Sequence, residues 1–267
     1  MNNFAAMDLH ISLAPETVFF VGPLAITNSL LLGGIGLIVV LAIGFYVAGM
    51  VKRNKRNYFT GTFQWMFESL LRQVHDIVPN RELARKIAPL SITIFLFVLI
   101  NYWLAVLPGV GTITLGGVPL LRGLPADLNF TVGLALITLV AVQVYAIRHL
   151  GIFGNAARYL KNPLKDPIGA FEGILELSGE FSRGLALSLR LFGNAFAGEV
   201  LLIMVAILSS YLATVTLPIF MAFELFIGFI QAYVFFMLSL IFTALAQESH
   251  SDDHSSADNL AEVKQLE

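Results

Sequence analysis

The sequence contains no cysteine, and Asp, Glu, Lys and Arg make up only 13% of its 267 residues. The lack of cysteine excludes disulfide bonds, thiolate catalysis and cysteine-ligated metal sites. Water-soluble domains carry about 25% charged residues, so this low value, together with 57% hydrophobic residues, indicates a membrane protein. The formal net charge of -2 leaves no basic surface for binding nucleic acid.

Long hydrophobic stretches dominate the rest of the sequence. A helix needs about 20 residues to cross the hydrocarbon core, and it is the open-chain structure that satisfies its own backbone groups there. We therefore predict an all-α membrane protein with membrane-crossing helices at 24–50, 87–107, 128–147, within 168–208, and at 219–246. No Lys or Arg precedes the first helix, so it does not resemble a cleaved signal peptide and we expect it to be retained.

The last two predicted helices are longer than one crossing requires. As helices, 168–208 would reach about 60 Å and 219–246 about 42 Å, whereas the hydrocarbon core is about 30 Å thick. We therefore predict that they form a long, strongly tilted hairpin. Residues 1–247 are expected to form a single membrane domain, and 248–267 an acidic, disordered tail.

Lys and Arg are unevenly distributed among the predicted loops. Of the 16, eight lie between the first two spans and four between the third and fourth, whereas the loops on the opposite side contain Arg122. The positive-inside rule then places the N-terminus outside and the C-terminus in the cytoplasm. Over 58–77, apolar residues recur at three- and four-residue steps, which predicts an amphipathic helix lying in the membrane interface.

Polar and ionisable residues lie inside the last two predicted spans. A charge at the centre of a membrane helix costs at least about 2.5–3.5 kcal/mol, so such residues face protein or water and mark a pathway. The residues concerned are Glu172, Glu176, Glu180, Arg183, Arg190, Asn194 and Glu199 in the fourth span, and Glu224 and Gln231 in the fifth.

Helical geometry places Arg190 on a face of small residues. Its neighbours on that face are Ala186, Gly193 and Ala197, a surface that another helix can approach closely. Glu199 lies about half a turn round the helix and about 13.5 Å along it, so it is not expected to pair with Arg190. Glu224 and Gln231 are seven residues apart and share a face with Gly228.

Some of these residues also have a structural interpretation. Arg183, Glu180 and Glu172 are candidates for the cytoplasmic side of the pathway. Arg183 is equally open to a static ion pair with Glu176 or Glu180, and Glu172 can simply solvate the helix end. Gln143 is better explained by a helix–helix hydrogen bond. The segment 101–103, Asn-Tyr-Trp, is interpreted as an aromatic interface belt. Asp127 is interpreted as the N-cap of the third span.

The stretch 188–199, SLRLFGNAFAGE, resembles the signature of subunit a of bacterial F-type ATP synthases. Further similar segments are IAPL at 87–90 with Asn101 and Leu107-Pro108 in the second span, PADLNFT at 125–131, and Glu224 with QAYVF at 231–235. The resemblance covers about residues 15–247. In some bacterial members a histidine occupies the position of Glu224, which is a departure from that form of the family.

The resemblance implies a stator subunit that supplies two offset aqueous half-channels to a rotating ring of subunit c in a bacterial plasma membrane. Arg190 is implied as the essential charge between the half-channels, acting on the ring carboxylate. The other implied positions are Asn194 and Gln231 near Arg190, Glu199 and Glu224 in the outer half-channel, and Glu176 on the cytoplasmic side.

The implied partners are the ring of subunit c on the Arg190 face, subunit b of the peripheral stalk, the remaining ATP synthase and the lipid bilayer. No cofactor or metal is implied. The chain would be no enzyme on its own, but part of a proton-transporting ATPase that couples proton flow to ATP synthesis or to ATP-driven pumping.

Three other functional classes find less support in the sequence. Secondary transporters often contain inverted repeats, and the sequence has no internal repeat. An intramembrane hydrolase would need a motif such as H-E-x-x-H or G-x-S-x-G, and neither occurs. A static scaffold would not retain so many charged residues within its spans.

Overall fold

The computed structural model describes residues 12, 14–53, 57–78, 81–111, 113–115, 117–159, 167–209 and 212–248. Its helices are α1 (Asn28–Lys52), α2 (Tyr58–Ile77), α3 (Arg81–Val106), α4 (Leu128–Tyr159), α5 (Pro167–Ser209) and α6 (Ala213–Glu248). Within the described residues, five helices are long and apolar enough to cross a membrane: Asn28–Lys52, Arg81–Val106, Leu128–Arg148, Ile168–Ser209 and Ala213–Leu245. The predicted all-α membrane architecture is confirmed.

The first helix begins four residues later than predicted, because a β-hairpin precedes it. Strand β1 (Thr17–Val21) pairs antiparallel with β2 (Leu24–Thr27). The turn between them contains Gly22 with φ 61°, a backbone conformation that favours glycine. The strands are rich in β-branched and aromatic residues. The sequence analysis missed this hairpin because residues 24–27 continue the apolar run.

Two helices contain a proline close to the start predicted for that helix. Helix α3 begins at Arg81, six residues before the predicted start, and Pro89 lies inside it. Helix α6 begins at Ala213, and Pro218 lies inside it. Membrane helices tolerate proline because side chains and local adjustments satisfy the freed carbonyl groups. In α3, for example, the Thr93 hydroxyl donates to the Pro89 carbonyl at 2.6 Å.

Helices α2 and α4 begin at the predicted residues. Helix α2 matches the expected range 58–77, whereas its location in the interface remains a prediction. Helix α4 continues past the predicted end of the third span and bends at Gly151, where φ is 78° and ψ is 164°. Only glycine adopts that conformation readily. Apart from Glu248, which ends α6, the predicted acidic tail lies outside the described residues.

Helices α5 and α6 contain 43 and 36 residues. At 1.5 Å per residue they reach about 64 and about 54 Å, so both exceed the hydrocarbon core of about 30 Å. The tilt inferred from such lengths remains a prediction.

The chain forms two compact units, and the long helices contribute to both. The first unit comprises Met1–Phe45, Phe97–Thr131 and Leu189–Gln231, and the second comprises Tyr46–Leu96, Val132–Ser188 and Ala232–Glu267. A second short hairpin, Thr114–Leu115 with Val118–Pro119, belongs to the first unit.

Close helix packing in the first unit depends on glycine. In α1, Gly33 lies against the side chain of Leu124, and Gly36 lies against the amide of Asn101, with no space for a Cβ at either position. The core of this unit also contains Val98 and Leu191, both fully buried. These contacts bring α1 and α3 together around polar as well as apolar side chains.

The second unit has an aromatic core. The rings of Phe95 and Phe236 meet edge to face with centroids 6.1 Å apart, an arrangement that suits their quadrupoles. The hydroxyl of Ser239 donates to that of Ser91 at 3.1 Å, and both residues are buried. This core joins α3 to α6.

Candidate functional site: an acidic cluster in the first unit

The carboxyl group of Glu224 is buried and hydrogen-bonded to a tyrosine. Glu224 on α6 has a relative exposure of 3% and Tyr102 on α3 of 2%. The Tyr102 hydroxyl donates to Glu224 Oε1 at 2.7 Å, the length expected of an O–H···O bond. Burial without a partner would be costly for this carboxyl group, and the phenol supplies a partner.

Two glycines create the space that this pair occupies. A Cβ at Gly198 on α5 would meet the carboxyl atoms of Glu224, and a Cβ at Gly228 on α6 would meet the ring of Tyr102. Alanine at either position would therefore displace one member of the pair. The cluster of Glu224, Tyr102, Gly198 and Gly228 is called the glycine slot below.

A further hydrogen bond fixes α3 against α6 beside the glycine slot. The indole nitrogen of Trp103 donates to the backbone carbonyl of Leu225 at 3.0 Å. Because Leu225 follows Glu224, this bond restrains the rotation of α6 at the level of the carboxyl group.

The second predicted carboxylate, Glu199, pairs with an arginine from a connecting segment. Arg122 Nε lies 3.4 Å from Glu199 Oε2, with relative side-chain exposures of 7% and 36%. The same guanidinium donates to the carbonyl of Ala14 at 2.8 Å. Arg122 thus connects Glu199 to the segment that precedes β1. As predicted, Glu199 does not pair with Arg190.

A small polar cluster supports Arg122 and the start of α4. The backbone N–H of Arg122 donates to the Asn28 carbonyl at 3.4 Å. The Ser29 hydroxyl donates to Asp127 Oδ2 at 2.7 Å, and Asp127 Oδ1 accepts from the backbone N–H of Asn129 at 2.9 Å. The prediction that Asp127 caps α4 is confirmed.

Asn194 and Gln231 come together as a side-chain pair. Asn194 Nδ2 donates to Gln231 Oε1 at 2.7 Å. Gln231 is 3% exposed, and its Nε2 is buried without a hydrogen-bond partner in the described part of the chain. Gln231, Gly228 and Glu224 all lie on the buried side of α6, as their predicted common face requires.

Arg190 lies on an exposed stripe of α5. Its exposed neighbours in the first unit are Gly193, Asn194 and Ala197, followed by Leu201. This spacing of three and four residues marks one face of a helix. No described residue forms a hydrogen bond or ion pair with Arg190. The guanidinium therefore lies exposed on this face of α5.

The predicted cytoplasmic-side residues lie in the second unit. Glu180 accepts hydrogen bonds from the Tyr159 hydroxyl at Oε1 and from Gln143 Nε2 at Oε2, both at 2.6 Å. Gln143 Oε1 in turn accepts from Asn155 Nδ2 at 3.0 Å. The prediction that Gln143 forms a helix–helix hydrogen bond is confirmed. The two members of this network on α4 after the bend at Gly151 are Asn155 and Tyr159.

Arg183, Glu176 and Glu172 occupy different environments on the same helix. The Arg183 guanidinium lies 5.3 Å from the ring centroid of Phe242, a cation–π distance. Glu176 is half-buried and Glu172 is exposed.

The acidic cluster consists of Glu199 with Arg122, Glu224 with Tyr102, and the amide pair of Asn194 and Gln231. The sequence analysis missed two of these residues. It placed Tyr102 in an interface belt, which is wrong because the ring is buried in the glycine slot; Asn101 is also buried, and only Trp103 is exposed. It treated Arg122 as a loop charge. An isolated basic residue among loops otherwise free of Lys and Arg was the available signal. The pairing of each residue with its carboxylate depends on tertiary contacts.

The cluster is suited to moving protons. It contains two carboxyl groups, a phenol and two amides, all groups that exchange or orient protons. No group of side chains suited to a metal ion occurs among the described residues. Nothing in the cluster is arranged as a nucleophile with its base.

The chain is similar to known proteins over most of its length. A family model described as the ATP synthase A chain matches residues 34–244. ATP synthase subunit a of Mycobacterium marinum is 33% identical over 243 residues, covering 90% of this chain and 94% of the relative. The Mycobacterium tuberculosis protein of that name is 33% identical over 245 residues, with coverages of 90% and 94%. ATP synthase subunit a 2 of Vibrio campbellii is 30% identical over 222 residues, with coverages of 80% and 85%.

Proposed function

The chain belongs to the ATP synthase subunit a family, and from this premise we propose that it conducts protons as a stator subunit of a rotary F-type ATP synthase. Its place is a bacterial plasma membrane, with the N-terminus outside and the C-terminus in the cytoplasm. Its partners are a ring of subunit c, which faces Arg190, and subunit b of the peripheral stalk.

The exposed position of Arg190 is the observation that carries this proposal. A permanently charged group on a membrane helix, with no partner among the described residues, needs a counter-charge from elsewhere. A carboxylate on a neighbouring rotor supplies it. The small residues Gly193 and Ala197 on the same exposed stripe allow that rotor helix to pass close by.

Arg190 acts on the rotor in two ways. As each rotor carboxyl group arrives, the guanidinium stabilises its ionised form and so makes it release its proton. The fixed positive charge also opposes a proton that would cross directly from one half-channel to the other. Lysine would not replace it, because an ammonium group loses its proton more readily when desolvated.

The acidic cluster of the first unit forms the outer half-channel. Glu199 and Glu224 take up and pass on protons, whereas the paired amides of Asn194 and Gln231 do not titrate and instead orient water near Arg190. The 2.7 Å bond between the two amides supports this assignment, because it holds an uncharged polar pair beside the essential charge.

The polar residues of the second unit serve the cytoplasmic half-channel. Glu176 and Glu180 are its acidic positions; Glu172 lies nearer the cytoplasmic end of α5, and Arg183 lies between Glu180 and Arg190. The network around Glu180 supports a role in ordering that path, because Tyr159 and Gln143 fix both carboxyl oxygens.

Substitution of Arg190 tests the proposal. We expect Arg190→Ala to abolish coupled ATP synthesis and ATP-driven proton pumping in membrane vesicles, while the complex still assembles with its ring. Arg190→Lys should fail as well. Arg72→Ala provides the matched control, since Arg72 is exposed on α2 and belongs neither to the acidic cluster nor to the network around Glu180. Normal ATP-driven pumping by assembled Arg190→Ala complexes would refute the proposal.

A further inference from the structure

We propose that Tyr102 is a positioning residue for proton transfer at Glu224. This inference rests on the proposed function, in which Glu224 belongs to the outer proton path. We infer that the phenol of Tyr102 holds one carboxyl oxygen of Glu224 in place while Glu224 gains and loses a proton. The other carboxyl oxygen carries that proton.

The hydrogen-bonding capacity of the phenol suits this task. Tyr102 donates to Glu224 Oε1 at 2.7 Å. A carboxylate oxygen accepts such a bond, and so does the carbonyl oxygen of a protonated carboxyl group. The bond therefore persists in both states of Glu224. The proton that Glu224 gains from channel water resides on Oε2 and leaves from Oε2 to water on the other side, while Tyr102 keeps its own proton.

The glycine slot shows that the pair is held by the surrounding helices. The ring of Tyr102 occupies the space beside Gly228, and the carboxyl group of Glu224 occupies the space beside Gly198. The adjacent Trp103 bonds the carbonyl of Leu225. Three helices thus fix the donor and the acceptor together, so the carboxyl group has little freedom to turn away from the phenol.

The other ionisable groups near the slot have partners of their own. Glu199 follows Gly198 on α5, and Arg122 pairs with it. In the described part of the chain, Tyr102 is the residue that bonds Glu224. Loss of the phenol oxygen should therefore affect Glu224 directly and leave the Arg122–Glu199 pair in place.

The test compares Tyr102→Phe with Tyr145→Phe. Each variant removes one phenol oxygen and keeps the ring. Tyr145 is a suitable control because its hydroxyl donates to a backbone carbonyl, that of Lys86, at 2.9 Å. Passive proton conductance through the membrane sector, after removal of the ATPase head, is measured per assembled complex over a range of outer pH. Glu224→Gln and the double variant with Tyr102→Phe complete the set.

We expect Tyr102→Phe to lower conductance about tenfold and to change its dependence on outer pH, because one hydrogen bond to an ionisable group is lost. Tyr145→Phe should behave as the unaltered protein does. In the Glu224→Gln background, Tyr102→Phe should have no further effect, since a residue that acts through Glu224 has nothing left to position.

Three results would overturn the inference, and they differ from failure of the proposed function. One is normal conductance of Tyr102→Phe while Glu224→Gln is impaired. Another is an additive loss in the double variant, which would indicate a packing role. The third is a loss of conductance with an unchanged outer-pH profile. Normal conductance of Glu224→Gln would instead refute the role of Glu224 in the path, and the inference with it.

Discussion

The most direct test of the acidic cluster is a single methyl group added at Gly198. The Cβ of alanine would meet Oε1, Oε2 and Cδ of Glu224 at distances too short for real contacts. The carboxyl group must move away from α5, or α5 and α6 must separate. Because the Tyr102–Glu224 bond is 2.7 Å long, a carboxyl displacement of about 1 Å suffices to break it.

The size of the effect follows from two costs. Overpacking in a well-packed interior costs about 1–3 kcal/mol. A buried phenol left without its acceptor adds about 1–3 kcal/mol. We therefore expect Gly198→Ala to lower the thermal stability of the purified membrane sector and to reduce its proton conductance, since Glu224 no longer has its position.

Gly179→Ala is the matched control for this substitution. It lies on the same helix, and an added Cβ would meet no atom within 4 Å. Both variants raise helix propensity alike, so any difference between them reports the contact with Glu224. Thermal unfolding of the membrane sector and proton conductance per assembled complex are measured for both. Equal stability and equal conductance of the two variants would refute the close packing of Gly198 against Glu224.

Three further substitutions probe the supporting structure, each followed by thermal unfolding of the purified membrane sector. Asp127→Ala should destabilise the membrane sector by about 1–3 kcal/mol, because α4 loses its cap and the buried Ser29 hydroxyl loses its hydrogen-bond acceptor. Stability equal to that of the unaltered protein would contradict the capping role. Gly151→Ala should cost about 1–3 kcal/mol through backbone strain, and no loss would show that the bend is absent. Tyr159→Phe should cost about 1–2 kcal/mol by removing one donor from Glu180, a loss that should vanish when Glu180 is replaced by Leu.

Much of the fold could be predicted from the sequence because the membrane imposes simple rules. Apolar length fixes the number of spans, and the starts of α2 and α4 follow from local patterns, the amphipathic period over 58–77 and the cap at Asp127. The starts of α3 and α6 could not be predicted in this way, and both lie six residues before the predicted positions. Proline normally marks a helix boundary, but in these helices it lies in the interior, at Pro89 and Pro218.

The positions of the candidate site residues on their helices were also predictable. The buried side of α6 contains Glu224, Gly228 and Gln231, and Arg190 lies on an exposed stripe, as helical periodicity requires. The hydrogen-bond and ion-pair partners of Glu199 and Glu224 could not be predicted. Tyr102 and Arg122 are distant in sequence from the residues they bond, and only the packing of the first unit brings each pair together.

The two carboxylates of the acidic cluster, Glu199 and Glu224, therefore have the same chemical group in different surroundings. Glu199 faces a permanent cation, Arg122, and is partly open to its surroundings. Glu224 is buried against a neutral phenol that both donates and accepts hydrogen bonds. Histidine, which some bacterial members of the family have at this position, would also suit Tyr102, because the hydroxyl oxygen can accept a hydrogen bond from an imidazole N–H. A tyrosine beside this position can thus form a hydrogen bond with either side chain, whereas phenylalanine can form one with neither.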